Sequence, residues 1–222
     1  MRVAAYYAPL PSDPLWIAAS AWLGRDAERG APEPQPAIPG LPEMTADPAL
    51  YGFHATLKPP IRLLTSYAAF MDDATALAAG LRSFELPPLA VQDLRGFLAL
   101  RDAEPSMELQ AFADACVDRL DRHRAPADAA ELARRRKHGL SPEQDAMLSR
   151  WGYPHVFGTW FFHMTLTRRL PADEMARVRP LAEAHFAAAL AASRRVEHLT
   201  IFTQARPGAP FLVAERLPLG GS

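Results

Sequence analysis

Two tetrapeptides of one pattern, His54-Ala55-Thr56-Leu57 and His163-Met164-Thr165-Leu166, hold the residues of this chain best suited to chemistry. An imidazole takes or gives a proton near neutral pH, and a hydroxyl two residues along can donate a hydrogen bond to an anion. Each copy lies in a run that reads as a short β-strand, where alternate side chains share a face. His54 and Thr56 then face one way, with Phe53, Ala55 and Leu57 facing the other. In the second copy His163 and Thr165 share a face, backed by an apolar stripe of Trp160, Phe162, Met164 and Leu166. A lone histidine on a strand is more often structural, but two in matched contexts suggest two halves of one active site able to run metal-free phosphoryl chemistry.

Strand parity extends the set. Lys58 follows Thr56 by two residues, and Thr167 and Arg169 continue the second copy, so Lys58 and Arg169 are candidates to steady an anionic substrate, although Pro59 can end the strand and turn Lys58 away. Tyr6, Tyr51 and Tyr153 are candidates to contact a sugar or phosphate, against the commoner role of packing. The run from Arg134 to Lys137 reads first as a solvated helix face and alternatively as a clamp that brings Arg134 to a second, terminal phosphate. His123, His138, His155, His185 and His198 lack the spacing of metal ligands, so neither a metal nor a cofactor is expected; His155 is nearest the second motif.

These residues need rigid elements to hold them. Val3 to Tyr7 reads as a strand, and Ser12 or Asp13 caps a helix that begins at Pro14 and stops at Gly24. The six prolines between Ala31 and Pro48 imply a surface loop without regular structure. A helix is expected over Tyr67 to Ser83, a strand pair over Leu86 to Leu94 and Gly96 to Leu100, and a helix over Met107 to Asp121 that opens the second half. Ala129 to Trp151 reads as helical, with a capping signature at Ser141 and Gln144. The second motif strand is expected from about Val156 to Thr167, then a helix from Pro171 to about Ala192 and two strands, Arg195 to Thr203 and Pro210 to Arg216. The order motif strand, helix, strand, strand occurs twice, which is an internal structural repeat.

With 222 residues, 49% of them hydrophobic, the chain can bury one large core, and its formal net charge of −1 argues against extended nucleic acid as a partner. Cys116 is the only cysteine, which excludes an intramolecular disulfide and suits a reducing cytoplasm. Neither a signal peptide nor a run of about 20 apolar residues able to span a bilayer is read, so no membrane is expected.

Paired His-x-Thr-Leu motifs, YGFHATLKPP before Ile61 and WGYPHVFGTWFFHMTLTRRL from Trp151 to Leu170 resemble the 2H phosphoesterase superfamily, in particular its bacterial, DUF1045-like branch associated with phosphonate-utilisation operons. Arg168 departs from that branch, which has glycine there. The resemblance implies an α+β fold of two pseudo-symmetric lobes, each with an antiparallel sheet and flanking helices, around a central cleft. As one bilobal domain, lobe 1 would span roughly residues 1–105 and lobe 2 roughly 106–222. It also implies a metal-independent cyclic phosphodiesterase acting on a small phosphorylated sugar or nucleotide, with 5-phosphoribosyl 1,2-cyclic phosphate the sharpest candidate. His54 and His163 would act as general base and acid, in an order the residues leave open, and Thr56 and Thr165 would bind the phosphate oxygens. With ordinary histidine pKa values, one imidazole of the pair can be neutral and the other protonated near pH 7. Two other functions compete: processing of RNA 2′,3′-cyclic phosphate ends, by hydrolysis or ligation, and noncatalytic binding of a phosphorylated metabolite. The oligomeric state stays open.

Overall fold

A computed structural model describes residues 1–137 and 139–221, leaving His138 outside the described residues. Strand β1 (Arg2–Tyr7) leads to helix α1 (Pro14–Leu23), which Asp13 caps by accepting from the Leu15 N–H at 2.7 Å and which ends at Gly24 with φ of 74°. Two short strands, β2 (Arg25–Asp26) and β3 (Ala31–Pro32), pair with each other.

The proline-rich segment is not the loop its composition implies. Its second half forms α2 (Leu41–Tyr51), because Leu41, Met44, Thr45 and Pro48 recur at helical spacing and are all buried, and Pro42 lies in the first turn where its missing N–H costs nothing. Pro48, inside the helix, cannot bond the carbonyl of Met44. That carbonyl instead accepts the backbone N–H of Arg168 at 2.7 Å, so a defect in the helix becomes a joint to the segment that follows the second motif.

The first motif enters β4 (Ala55–Arg62), followed by α3 (Tyr67–Ala79), β5 (Phe84–Leu86), β6 (Leu89–Asp93) and β7 (Leu98–Asp102). Then come α4 (Met107–Leu120) and, where one helical segment was expected, two helices, α5 (Ala129–Arg136) and α6 (Pro142–Trp151), the latter opened by a Ser141–Gln144 capping box. The second motif strand is far shorter than its alternating pattern implies, since β8 covers only Met164–Thr165. A 3-10 turn at Phe157–Thr159, with Phe157 at φ of 51°, breaks the run before it. The chain then forms α7 (Ala172–Leu190), β9 (Arg194–Val196), β10 (His198–Gln204) and β11 (Leu212–Pro218).

The fold is α+β and antiparallel. One seven-stranded sheet runs β11-β10-β1-β4-β8-β7-β6, with the motif strands β4 and β8 side by side in the middle. In chain order β4-α3-β5-β6-β7 recurs as β8-α7-β9-β10-β11, and the short strands β5 and β9 also pair with each other. The halves of the sheet do not follow the expected boundary near residue 105, however. The β6-β7 hairpin of the first repeat lies against β8, while in the second repeat β10 returns to pair with β1 and carries β11 at its outer edge. On one face of the sheet Val3, Ala5, Leu57, Met164 and Leu166 join Leu15, Phe70, Phe112 and Phe186 from the helices in a single core.

Candidate active site

The motif strands meet at the pairing Ala55↔Met164, the second residue of each tetrapeptide. Antiparallel register extended by one residue each way sets His54 opposite Thr165 and Thr56 opposite His163, as a pseudo-two-fold axis between Ala55 and Met164 requires. Residues opposite one another point to the same face, with Cβ atoms about 5 Å apart, so both histidines and both threonines form one square on the face away from the helices. Ala55, Leu57, Met164 and Leu166 are fully buried on the other face.

Both imidazoles are anchored alike. His54 Nδ1 lies 2.9 Å from the Gly52 carbonyl and His163 Nδ1 lies 3.2 Å from that of Phe161, in each case two residues earlier. A carbonyl only accepts, so Nδ1 carries the hydrogen and Nε2 is left with its lone pair. His54 Nε2 accepts from the Thr56 hydroxyl at 3.2 Å. Its ring stacks on Tyr6 at 3.7 Å between centroids. Burial lowers the His54 pKa to about 4, with the His163 charge adding to the effect and the Gly52 carbonyl opposing it. Burial likewise lowers that of His163, opposed by the Phe161 carbonyl and aided by Arg101 and His155. Both imidazoles are therefore neutral at pH 7, rather than divided between the two forms.

A cavity of about 340 Å³ opens over this square, walled by His54, Thr56 and Thr165. His163 is not part of that wall; its ring packs 4.9 Å from Phe161 and 6.3 Å from Phe97. Tyr6, Tyr51 and Tyr153 all line the cavity. Burial raises the pKa of Tyr6 and Tyr153, which keeps both phenols protonated as donors.

Three expected substrate contacts lie outside this cavity. Lys58 is 2% exposed and donates to Asp121 at 2.9 Å and to the Val117 carbonyl at 3.1 Å, fastening β4 to α4. The reason is a bulge: β1 pairs Tyr6↔Thr56 but Ala5↔Lys58, so β4 gains a residue there and the side-chain parity beyond Thr56 reverses. Arg169 is exposed, donates to the Arg95 carbonyl and does not line the cavity. Arg134 also lies outside the cavity, in a neighbouring recess.

Three cations reach the cavity, Arg2, Arg135 and Arg168, of which only Arg135 falls in the basic run read alternatively as a phosphate clamp. Arg2 was open to inference, because it shares the parity of Tyr6 on β1. Arg168, the departure from the branch pattern, is brought in by the joint to Met44. Arg135 lies 5.2 Å from the Tyr153 ring centroid, a contact between α5 and a loop with no local sequence signal. Asp47, from the end of α2, also lines the cavity. Among the described residues no group of three or more His, Cys, Asp or Glu is placed to hold a metal, and no helix is long and apolar enough to cross a membrane.

Residues 56–212 match the family described as protein of unknown function, DUF1045. The chain belongs to the DUF1045 family. Among curated relatives, a protein of Janthinobacterium sp. (strain Marseille) named ribose 1,5-bisphosphate phosphokinase PhnN is 41% identical over 99% of this chain and 51% of its own length. A protein of the same name from Laribacter hongkongensis (strain HLHK9) is 37% identical over 95% of the chain and 50% of its own length. This DUF1045 chain thus spans about half the length of the curated relatives it matches. Among solved structures, E. coli LigT in apo form aligns over 99% of this chain and 98% of its own, at 16% identity and a TM-score of 0.49. A structure described as a phosphoesterase aligns over the same shares at 14% identity and a TM-score of 0.46.

Proposed function

We propose that the chain is a metal-independent cyclic phosphodiesterase of the 2H phosphoesterase type that opens a small sugar cyclic phosphate, with 5-phosphoribosyl 1,2-cyclic phosphate in phosphonate degradation as its substrate. The observation that carries the proposal is the square of His54, Thr165, Thr56 and His163 on one sheet face beneath an arginine- and tyrosine-lined cavity. Hydrolysis needs a base to take a proton from water as its oxygen attacks phosphorus, and an acid to protonate the sugar oxygen as the phosphorus–oxygen bond breaks. Donors must neutralise the nonbridging oxygens. Two imidazoles with unprotonated Nε2 atoms and two hydroxyls meet these needs. One of His54 and His163 takes the base role, and the other takes the acid role, its proton restored by the negative charge of bound phosphate.

The names of the relatives support the substrate class. Breaking the bond from phosphorus to the 2-oxygen of 5-phosphoribosyl 1,2-cyclic phosphate leaves ribose 1,5-bisphosphate, the compound in the name of the relatives' kinase. Kinase chemistry itself is not proposed for this chain. Its two lysines are Lys58 and Lys137, and neither follows a glycine as the lysine of a phosphate-binding P-loop does. The cytoplasmic location expected from its single cysteine belongs to the same proposal.

Phosphorus NMR of EDTA-treated protein tests it, with 5-phosphoribosyl 1,2-cyclic phosphate and, separately, a nucleoside 2′,3′-cyclic phosphate. The expected result is opening of the ribosyl compound, lost in both His54→Ala and His163→Ala. Turnover of the nucleotide alone moves the substrate to RNA ends, and turnover of neither leaves metabolite binding.

A further inference from the structure

Beside the histidine cavity lies a second recess of about 110 Å³, and the two share Arg2, Pro59, Pro60 and Arg135 along their common border. Five guanidinium groups line the recess, Arg2, Arg62, Arg124, Arg134 and Arg135, against one carboxylate, Glu131. Such a concentration is local, since the chain as a whole carries a net charge of −1.

Two of the five are neutralised within the protein. Arg124 grips Asp121 through two bonds of 2.8 and 2.9 Å, and Arg135 donates to Glu131 at 2.9 Å, although its buried Nε has no partner among the described residues. The other three have no carboxylate within salt-bridge distance among the described residues. Arg2 donates to the side-chain oxygen of Gln204 at 2.7 Å and Arg62 to the Pro126 carbonyl at 3.0 Å, both neutral acceptors. Arg134 donates no side-chain hydrogen bond to any described residue. Like charges gathered from β1, β4 and α5 repel one another, and an anion between them reverses the sign of that interaction.

We propose that this recess binds a second phosphoryl group of the substrate, a terminal phosphomonoester, while the cyclic phosphate lies over the histidines and threonines. The inference rests on the cyclic phosphodiesterase reading and assigns the residues that hold the second phosphate of its substrate. Arg2 and Arg135 border both compartments, and Arg135 packs on the Tyr153 ring that lines the larger cavity, so the sugar bridges the two. Guanidinium groups suit the task, because their forked donors match phosphate oxygens in pairs.

The test compares kcat/KM for 5-phosphoribosyl 1,2-cyclic phosphate and for ribose 1,2-cyclic phosphate, which lacks the 5-phosphate, in the native protein and in Arg62→Ala and Arg134→Ala. Both arginines are exposed, so the variants are expected to fold, and thermal melting checks this. Native protein should prefer the phosphorylated compound by about 10²-fold, and each variant should lose about tenfold of that preference through KM. Equal kcat/KM for the two compounds, or an unchanged preference in both variants, overturns the second site and leaves the phosphodiesterase reading intact. Calorimetric titration with ribose 5-phosphate separates the opposite case. If neither cyclic compound turns over, yet ribose 5-phosphate binds the native protein and binds both variants about tenfold more weakly, the anion site stands and the catalytic reading falls.

Discussion

The two copies of the motif share an anchor and differ in almost everything around it. Each histidine holds its Nδ1–H on the carbonyl two residues upstream, at 2.9 Å for His54 and 3.2 Å for His163. At that upstream position the first copy has Gly52 and the second Phe161. Gly52 adopts φ of 75°, and a methyl group there would meet the Ala27 Cβ at 2.6 Å, whereas Phe161 contributes a ring that packs on His163 itself. His54 rests on a tyrosine from the neighbouring strand; His163 has only aromatic neighbours from its own segment and from the β7 approach. Four residues beyond each histidine, Lys58 ties β4 to α4 by an ion pair, while the Thr167 hydroxyl accepts from the Leu98 N–H at 3.0 Å and ties its segment to β7. Chemistry can be duplicated with three residues and a register; the support under each copy is built from whatever lies next to it.

If the copies form one site, the largest effect comes from the histidines. His54→Ala and His163→Ala should each lower kcat by about 10² to 10⁴, and the double variant should be little worse than either alone. Multiplying losses in a steady-state assay would break the single-site reading. Next is Lys58→Ala, which should cost about 2–3 kcal/mol in urea unfolding, because it removes the ammonium that ties β4 to the Val117 carbonyl and to Asp121, leaving Asp121 to Arg124 alone. Thr167→Val, its counterpart, should cost about 1–2 kcal/mol. Loss of activity in a fully folded Lys58→Ala protein would return Lys58 to the substrate.

Protonation gives a third contrast. His54 ionises with a pKa of about 4 when folded against about 6.5 when unfolded, so the unfolded chain binds the extra proton between those values. Stability is therefore whole above pH 6.5 and falls by up to about 3 kcal/mol as pH drops through 4, a loss that His54→Asn should largely remove from the unfolding profile. A proton NMR titration placing His54 near 6.5 would contradict its burial. A last contrast separates the two anchors. Gly52→Ala should destabilise by about 1–3 kcal/mol and disturb His54, whereas Phe161→Ala keeps its carbonyl and should leave the His163 tautomer, read by nitrogen NMR, unchanged.

What could be read from residues alone follows the range of the interactions that decide each element. The cap at Asp13, the stop at Gly24 and the apolar face of α4 are local, and all three are where the sequence puts them. The shared face of His54 with Thr56, and of His163 with Thr165, needs only alternation and is equally local. Lys58 was misassigned because the bulge that turns it depends on pairing with β1. β8 was overextended because a tertiary contact takes over from its ladder, with the Trp160 indole N–H donating to the Thr56 carbonyl at 2.8 Å. In α2 the prolines hid a helical stripe that becomes visible once Met44 and Pro48 are read as buried neighbours.

The exchange of hairpins between the two repeats has a consequence for how the chain acquires its structure. While it is being synthesised, β1 and β4 emerge early but lack β10 and β8 as neighbours, and the β6-β7 hairpin must also wait for β8. Each early strand therefore offers an unpaired edge to other chains over most of translation, and the central sheet can close only after residues far apart in sequence have met. Folding should be slow for a chain of this size and prone to misassociation when concentrated. Fragments divided near residue 105 should each fail to fold alone, yet recover structure when mixed, because each holds the strands that the other's motif needs.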